Sequence, residues 1–201
     1  MNVAVILAAG KSTRFNHLIP KQLYPLNGKP IIQHSIDILE KYVDDIVIVT
    51  NSNCKIETNH SLLINDIDNR LISIQTAIEY TNKNYDKIIL HDAARPYITD
   101  EYIKRLIDSK FVHSQYYLKL TNGLAKKKES GWEIANREDF LELCTPQSTD
   151  YDLFKSIFKR YIQTGIECEI LSSLSHLQLE PELIEGKYKY LRKINTFDDI
   201  Y

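Results

Sequence analysis

The sequence predicts an α/β domain whose mostly parallel sheet is covered by helices on both faces, and three observations carry that prediction. Apolar runs rich in β-branched residues recur along the chain, as strands buried on both faces require. Segments of helical period separate them. The two most distinctive loops follow such runs, where a parallel sheet presents its ligand-binding edge.

The first run is Val3-Ala4-Val5-Ile6-Leu7, followed by a polar loop from Gly10 to Pro30 and a helical pattern at Ile31, Ile32, Ser35, Ile36 and Leu39. Ile46-Val47-Ile48-Val49 reads as the second strand and Leu62-Leu63-Ile64 as the third. Leu71 to Tyr80 reads as a helix with Ile74, Ala77 and Ile78 on one face. Lys87-Ile88-Ile89-Leu90 is a fourth strand, ending in His91-Asp92. Asp100 is placed as the N-cap of a helix carrying Tyr102, Leu106 and Ile107. Beyond Val112 the pattern changes. Tyr116 to Leu120, the turn Thr121-Asn122-Gly123 and Trp132-Glu133-Ile134 read as strand, turn and strand, a β-arm over about 116–137 that leaves the domain. Asp150 to Tyr161 and Ile170 to Leu177 read as helices, and Thr196 as the cap of a last one. With no repeat, linker or low-complexity stretch, residues 1–201 form one domain of Rossmann-like, doubly covered architecture.

Composition narrows the function classes. A chain of 201 residues, 43% hydrophobic and 26% charged, has material for one substantial core. The formal net charge of -2 gives no electrostatic support to non-specific nucleic-acid binding, and Lys126-Lys127-Lys128, followed by Glu129, reads as a solvated loop. Cys54, Cys144 and Cys168 are far apart and odd in number, which suits a reducing compartment; the cytoplasm is expected. No apolar run reaches the roughly 18 residues of a membrane helix. Val3 to Ala9 lacks a preceding basic region and reads as a strand rather than a leader.

Two loops carry candidate chemistry. Ala8-Ala9-Gly10-Lys11-Ser12-Thr13-Arg14, with Pro20-Lys21-Gln22 following, combines small residues that let backbone N–H groups cradle an anion with two fixed cations, Arg14 and Lys21. A strand–helix turn with two surface cations is the plainer reading. The fragment Gly10-Lys11-Ser12-Thr13 imitates the end of a Walker A loop, but Val5 stands where that motif needs its first glycine, and no G-x-G-x-x-G is present. The second loop is His91-Asp92-Ala93-Ala94-Arg95-Pro96. A carboxylate at a strand end can hold Mg²⁺ through hard oxygen ligands, and Arg95 can grip a phosphate bidentately. Alternatively, Asp92 and Arg95 form an ion pair that closes a turn.

Taken in order, Leu-Ala-Ala-Gly…Arg…Pro-Lys-Gln, His-Asp-Ala-Ala-Arg-Pro, Thr145-Pro146-Gln147 and Lys193-Ile194 closely resemble the cytidylyltransferases that act on 2-C-methylerythritol 4-phosphate and on ribitol 5-phosphate. The resemblance spans nearly the whole chain. It implies transfer of a cytidylyl group from CTP to a small phosphorylated polyol or sugar with Mg²⁺. By that resemblance Ala8, Ala9, Gly10 and Ala93 line the nucleotide, Asp68 and Ser73 lie near its base and ribose, and Asp92 holds the metal. Arg14, Lys21 and Lys193 serve the reaction centre, while Arg95, Arg137 and Thr145 meet the acceptor. A homodimer through the β-arm is implied, with Arg137 and Thr145 serving the partner's site.

The chain departs from the family pattern at several places. Asp66-Ile67 replaces paired glycines, Asn122-Gly123 replaces Asp-Thr on the arm, Leu191 replaces an Asn, and Cys168-Glu169 replaces Thr-Asp. Most of these lie on the acceptor side, and Asn122-Gly123 tilts the expected acceptor toward a polyol or sugar phosphate other than methylerythritol phosphate. Two alternatives stand beside the leading reading: the same fold using UTP or GTP, and a non-catalytic nucleotide-binding protein. The chemistry needs no general base, because a phosphate monoester is already largely dianionic at neutral pH. His91 is therefore expected to be a structural neighbour of Asp92.

Overall fold

Its unbroken apolar character buries β1 (Asn2–Leu7) inside a seven-stranded sheet in the computed structural model, which describes residues 1–162 and 170–200. After the first loop, β2 (Pro25–Leu26) and β3 (Lys29–Pro30) form a small hairpin, turned by Asn27 and Gly28 at φ of 50° and 85°. Then come α1 (Ile31–Leu39), β4 (Asp45–Thr50), β5 (Ser61–Ile64), α2 (Arg70–Tyr80) and β6 (Lys87–Asp92). The next elements are α3 (Asp100–Asp108), β7 (His113–Lys119), β8 (Leu124–Lys128), β9 (Gly131–Ala135) and β10 (Leu141–Asp150). The chain ends with α4 (Tyr151–Ile162), α5 (Ile170–His176), β11 (Glu182–Glu185), α6 (Tyr188–Leu191) and a 3-10 turn, Phe197–Ile200.

Spatial order in the sheet is β11-β7-β10-β6-β1-β4-β5. The pairs β1–β4, β1–β6, β4–β5 and β11–β7 are parallel, and β10 runs antiparallel to both its neighbours. Strand alternation divides the core by face. Ala4, Ile6, Ile46, Ile48 and Ile89 pack with α1 and α3, while Val3, Val5, Val47, Val49 and Leu90 pack with α2, α4 and α5. The chain winds from β1 to β4 and β5 on one side, then crosses to β6 on the other. The switch point therefore lies between the carboxyl ends of β1 and β6, where ligands bind in such sheets.

The expected elements are present, with instructive differences. Residues 116–119 belong to the main sheet rather than an arm, because Tyr116 and Leu118 alternate into the core at 3% and 6% exposure. The arm is the shorter hairpin β8–β9, turned at Glu129–Ser130 rather than at Thr121-Asn122-Gly123. Helix α3 is preceded by Thr99, and Asp100 is its first residue, where a carboxylate complements the positive helix terminus. Asp150, read as the first residue of its helix, instead precedes α4 and accepts from the Leu153 amide at 2.9 Å. Thr196 precedes the last turn, but its hydroxyl bonds the Asp199 carboxylate, 3.1 Å away. Cys168 and Glu169 lie outside the described residues.

Candidate active site

The two loops singled out in the sequence emerge side by side, since Leu7 and Asp92 are register partners. The first loop has little regular structure and is held by side-chain amides instead. Gln22, 4% exposed, donates to the carbonyls of Ala8 (2.6 Å) and Gly10 (3.0 Å) and accepts from the Ser12 hydroxyl (3.0 Å). Asn51 donates to the Ala9 carbonyl at 3.0 Å. Further along, Phe15 is 1% exposed, buried with Leu26, Ile31 and Ile194, and its ring lies 5.4 Å from Tyr24 and 5.7 Å from Phe197. That cluster docks the C-terminal segment onto the loop. Together with the Ile194 amide bond to the Ala94 carbonyl (2.8 Å), it delivers Lys193 to the strand ends.

Asp92 is the electrostatic centre. Its Oδ1 is 2.5 Å from Nη1 of Arg70, and its Oδ2 is 2.9 Å from Nζ of Lys193 and 3.5 Å from Nε of Arg95. Its amide donates to the Thr145 hydroxyl at 3.1 Å. Burial by itself pushes this carboxyl up; the Arg70, Lys193 and Arg95 charges overcome it and hold the group well below the usual carboxylate range. An Asp92–Arg95 ion pair does close a turn, for the Arg95 amide bonds the Asp92 carbonyl at 3.0 Å beneath the 3.5 Å side-chain pair. Arg95 also donates from Nη1 to the Leu191 carbonyl, and its Nε makes an ion pair without hydrogen-bond geometry.

Lys21 has no carboxylate partner among the described residues. Burial first, then the Lys193 and Arg14 charges, lower its pKa to about 8. His91 is fully buried beside Ser35 (Nε2 to Oγ, 3.0 Å), and burial lowers its pKa to about 4. At neutral pH it is uncharged, in keeping with a structural role.

Two clefts meet at this centre. The larger, about 430 Å³, is lined by Ala9, Gly10, Arg14, Lys21, Asp68, Ser73 and Ala93, among others. The smaller, about 230 Å³, is lined by Arg95 and Thr145 with Gln115, Gln147 and Phe158. Arg70, Asp92 and Lys193 line both and form the wall between them. Eleven of the thirteen residues singled out in the sequence thus line one cleft or the other, and two do not. Ala8 lies behind the larger cleft, 1% exposed, with its carbonyl taken by Gln22. Arg137 sits at the base of the arm, where its Nη1 donates to the Thr121 carbonyl at 2.9 Å. Sequence reasoning gave no role to Arg70, whose position one residue beyond the Asn69 cap was the available signal. It also missed Gln22 as the brace of the loop.

The reactive character of the clefts is fixed charge around one ionised carboxylate at a sheet's switch point. That is the equipment of a nucleotidyltransferase, whose reacting groups are phosphates and whose catalysis is mainly alignment and charge stabilisation. Known proteins narrow the class. Residues 2–201 match the family described as IspD: 2-C-methyl-D-erythritol 4-phosphate cytidylyltransferase, and the chain belongs to that family; it is a cytidylyltransferase. Among relatives of that name, the protein of Clostridium beijerinckii is 27% identical, the match covering 98% of this chain and 94% of the relative. The Thermosipho melanesiensis protein is 31% identical, with 79% of this chain and 77% of the relative covered. The fold matches the crystal structure of 4-diphosphocytidyl-2C-methyl-D-erythritol synthase from Anaerococcus prevotii at a TM-score of 0.82 and 17% identity, covering 100% of this chain and 94% of that one.

Proposed function

We propose that this cytidylyltransferase moves the cytidylyl group of CTP onto 2-C-methyl-D-erythritol 4-phosphate, with CTP in the larger cleft and the acceptor phosphate in the smaller. The observation that carries the reading is the shared wall: Arg70, Asp92 and Lys193 face both clefts, so reacting groups in each meet at one cluster of charge. The acceptor is the one in the names of the family and the relatives. The family and relative names favour methylerythritol phosphate over the tilt toward another polyol; Asn122 and Gly123 are exposed at the foot of the arm and line neither cleft of their own chain.

In the reaction, an oxygen of the acceptor phosphate attacks the α-phosphorus of CTP. The new P–O bond forms as the bond from the α-phosphorus to the bridging oxygen breaks, and pyrophosphate departs with that electron pair. The nucleophile is already anionic, so no side chain removes a proton. Lys21, Arg14 and Lys193 stabilise the charge that gathers on the equatorial and departing oxygens. Arg95 and Thr145 orient the acceptor, and Arg137 is assigned to the second copy's site.

Mg²⁺ fits this arrangement in one specific way. Asp92 is ionised at neutral pH and offers hard oxygen, but no group of three or more His, Cys, Asp or Glu among the described residues could cage a metal. Mg²⁺ is commonly held by one or two carboxylates together with substrate phosphates, and Asp92 suits that role if Arg70 or Lys193 yields an oxygen. Bound there, the ion would neutralise charge on the triphosphate.

Exposed Trp132 (70%) and Ile134 (79%), both on β9, support a homodimer through the arm. No helix among the described residues is long and apolar enough to cross a membrane, and the unpaired cysteines support a cytoplasmic setting. The deciding experiment is pyrophosphate release with CTP, UTP, GTP or ATP, crossed with Mg²⁺ and a panel of phosphorylated polyols. Release with CTP and methylerythritol phosphate is expected. Release with UTP or GTP alone, or with ribitol 5-phosphate alone, would replace this reading. Binding without release on any acceptor would favour a non-catalytic protein.

A further inference from the structure

We infer that Ile67 is the side chain that covers the nucleobase face in the larger cleft; the inference rests on the proposed placement of a nucleoside triphosphate there. The cleft runs across the strand ends and changes character along the way. Over β1 and β6 it is cationic, with Arg14, Lys21 and Lys193 around Asp92. Beyond β4, after the end of β5, its wall is made by residues 67–69. Three strand spacings, about 14 Å, separate β6 from β5. A triphosphate belongs at the cationic end, so the base of the same molecule lies toward the β5 end.

At that end Ile67 is an anomaly. It is 56% exposed, although neighbouring backbone and side chains are firmly fixed. Its amide donates to Oδ1 of Asn65 (3.0 Å), and its carbonyl accepts from Nδ2 of Asn65 (3.1 Å) and the Asn69 amide (2.7 Å). Asn65 is 6% exposed and also bonds the Ser73 hydroxyl at 2.9 Å. Asp66, just before, accepts from the Ser52 amide at 2.7 Å, which ties the segment to the end of β4. Such bracing fixes the position of an apolar side chain on the cleft lining that is left open to solvent. A planar base laid flat against it removes that apolar surface from water at far lower desolvation cost than a charged phosphate would.

The contribution is therefore to base binding and leaves the phosphate contacts alone. Calorimetric titration of the wild type, Ile67→Ala and Ile67→Val with CTP, and with inorganic triphosphate as a base-free probe, separates the two. For Ile67→Ala the Kd of CTP is expected to rise about tenfold while that of triphosphate stays unchanged. Ile67→Val, which keeps a branched cover, is expected to recover most of the affinity. An unchanged CTP Kd in Ile67→Ala, or equal losses for CTP and triphosphate, would overturn the assignment. A wild type that binds triphosphate but no tighter with the nucleoside attached would instead overturn the placement of CTP on which it stands.

Discussion

The loop after β1 and the β8–β9 hairpin are opposites. The hairpin has five register pairs in a regular antiparallel ladder, yet Trp132 and Ile134 remain largely exposed. The loop has almost no regular structure, yet Gln22 and Phe15 are buried and its successive carbonyls at Ala8, Ala9 and Gly10 are all bonded by side chains. Regular hydrogen bonding does not fix a segment in place; burial does. A two-stranded ladder alone is marginal in water, whereas a loop braced from beneath holds its position. The loop that lines the larger cleft is thus braced within one chain, whereas the arm leaves Trp132 and Ile134 exposed.

The largest effect that would sharpen this contrast is on the braced side. Lys21→Ala is expected to lower kcat by ~10²–10³-fold while raising the Kd of CTP far less, because its charge acts mainly in the transition state. Equal losses in kcat and binding, in steady-state kinetics paired with titration, would demote Lys21 to a binding cation. Lys21→Met should meanwhile stabilise the fold. The folded pKa of about 8 lies below the ordinary 10.5, so the stability linked to neutral Lys21 is present above 10.5 and lost as pH falls through 8. At pH 7 the variant escapes that loss, and a gain of about 1–2 kcal/mol in urea denaturation is expected.

Next is the brace itself. Gln22→Ala leaves the Ala8 and Gly10 carbonyls without their side-chain donor, at a cost of about 2 kcal/mol, and CTP binding should weaken by roughly tenfold. If stability falls without any change in CTP binding, the loop does not depend on this brace.

A smaller effect comes from two buried histidines on the sheet. His91 and His113 both have folded pKa values of about 4, lowered first by burial. Their contribution to stability is present above pH 6.5 and lost as pH falls through 4. Between those values the unfolded chain binds more protons, so the urea midpoint should drop steadily from pH 7 to pH 4.5. A flat profile would mean that neither histidine is held neutral by the fold, and half the expected slope that only one is.

The smallest intramolecular effect belongs to the arm. Trp132→Ser with Ile134→Ser should alter the CTP affinity of the larger cleft little, and change chain stability by about 0.5 kcal/mol or less at low protein concentration. If the arm joins two copies, the wild type should sediment as a dimer and this variant as a monomer. A large loss of CTP binding would contradict the separation of loop and arm drawn above.

How much of this was legible follows the same physics. β1, β4 and β6 were readable because strands buried on both faces are unbroken apolar runs. The loop after β1 was readable as a candidate site because Ala8-Ala9-Gly10 is a run of small residues that leaves the backbone open to a ligand. β10 was not, although it holds Thr145. Its buried positions Thr145, Gln147, Ser148 and Thr149 are polar, and Pro146 argues against a central strand. The fold accommodates that proline where the register shifts between Cys144 and Gln147, and partners such as the Leu106 carbonyl, 3.2 Å from the Ser148 hydroxyl, satisfy the buried polar groups. Such compensation is tertiary and leaves no local period. Arg70 was missed for a related reason: its importance lies in reaching Asp92, 22 residues away in sequence.

The docking of the C-terminal segment sets a schedule for the newborn chain. Synthesis delivers β1, the loop, Arg70 and Asp92 early, and the Asp92 carboxylate can pair with Arg70 and Arg95 well before Lys193 is made. The last cation arrives only with the segment that Ile194 and Phe197 anchor, so the wall between the clefts is finished 101 residues after Asp92 is made. A chain released after Leu191 should keep the sheet and measurable CTP binding but turn over nothing, a difference that titration and pyrophosphate assay on the truncated protein would resolve. The order of synthesis thereby places the last charge of that wall long after the first.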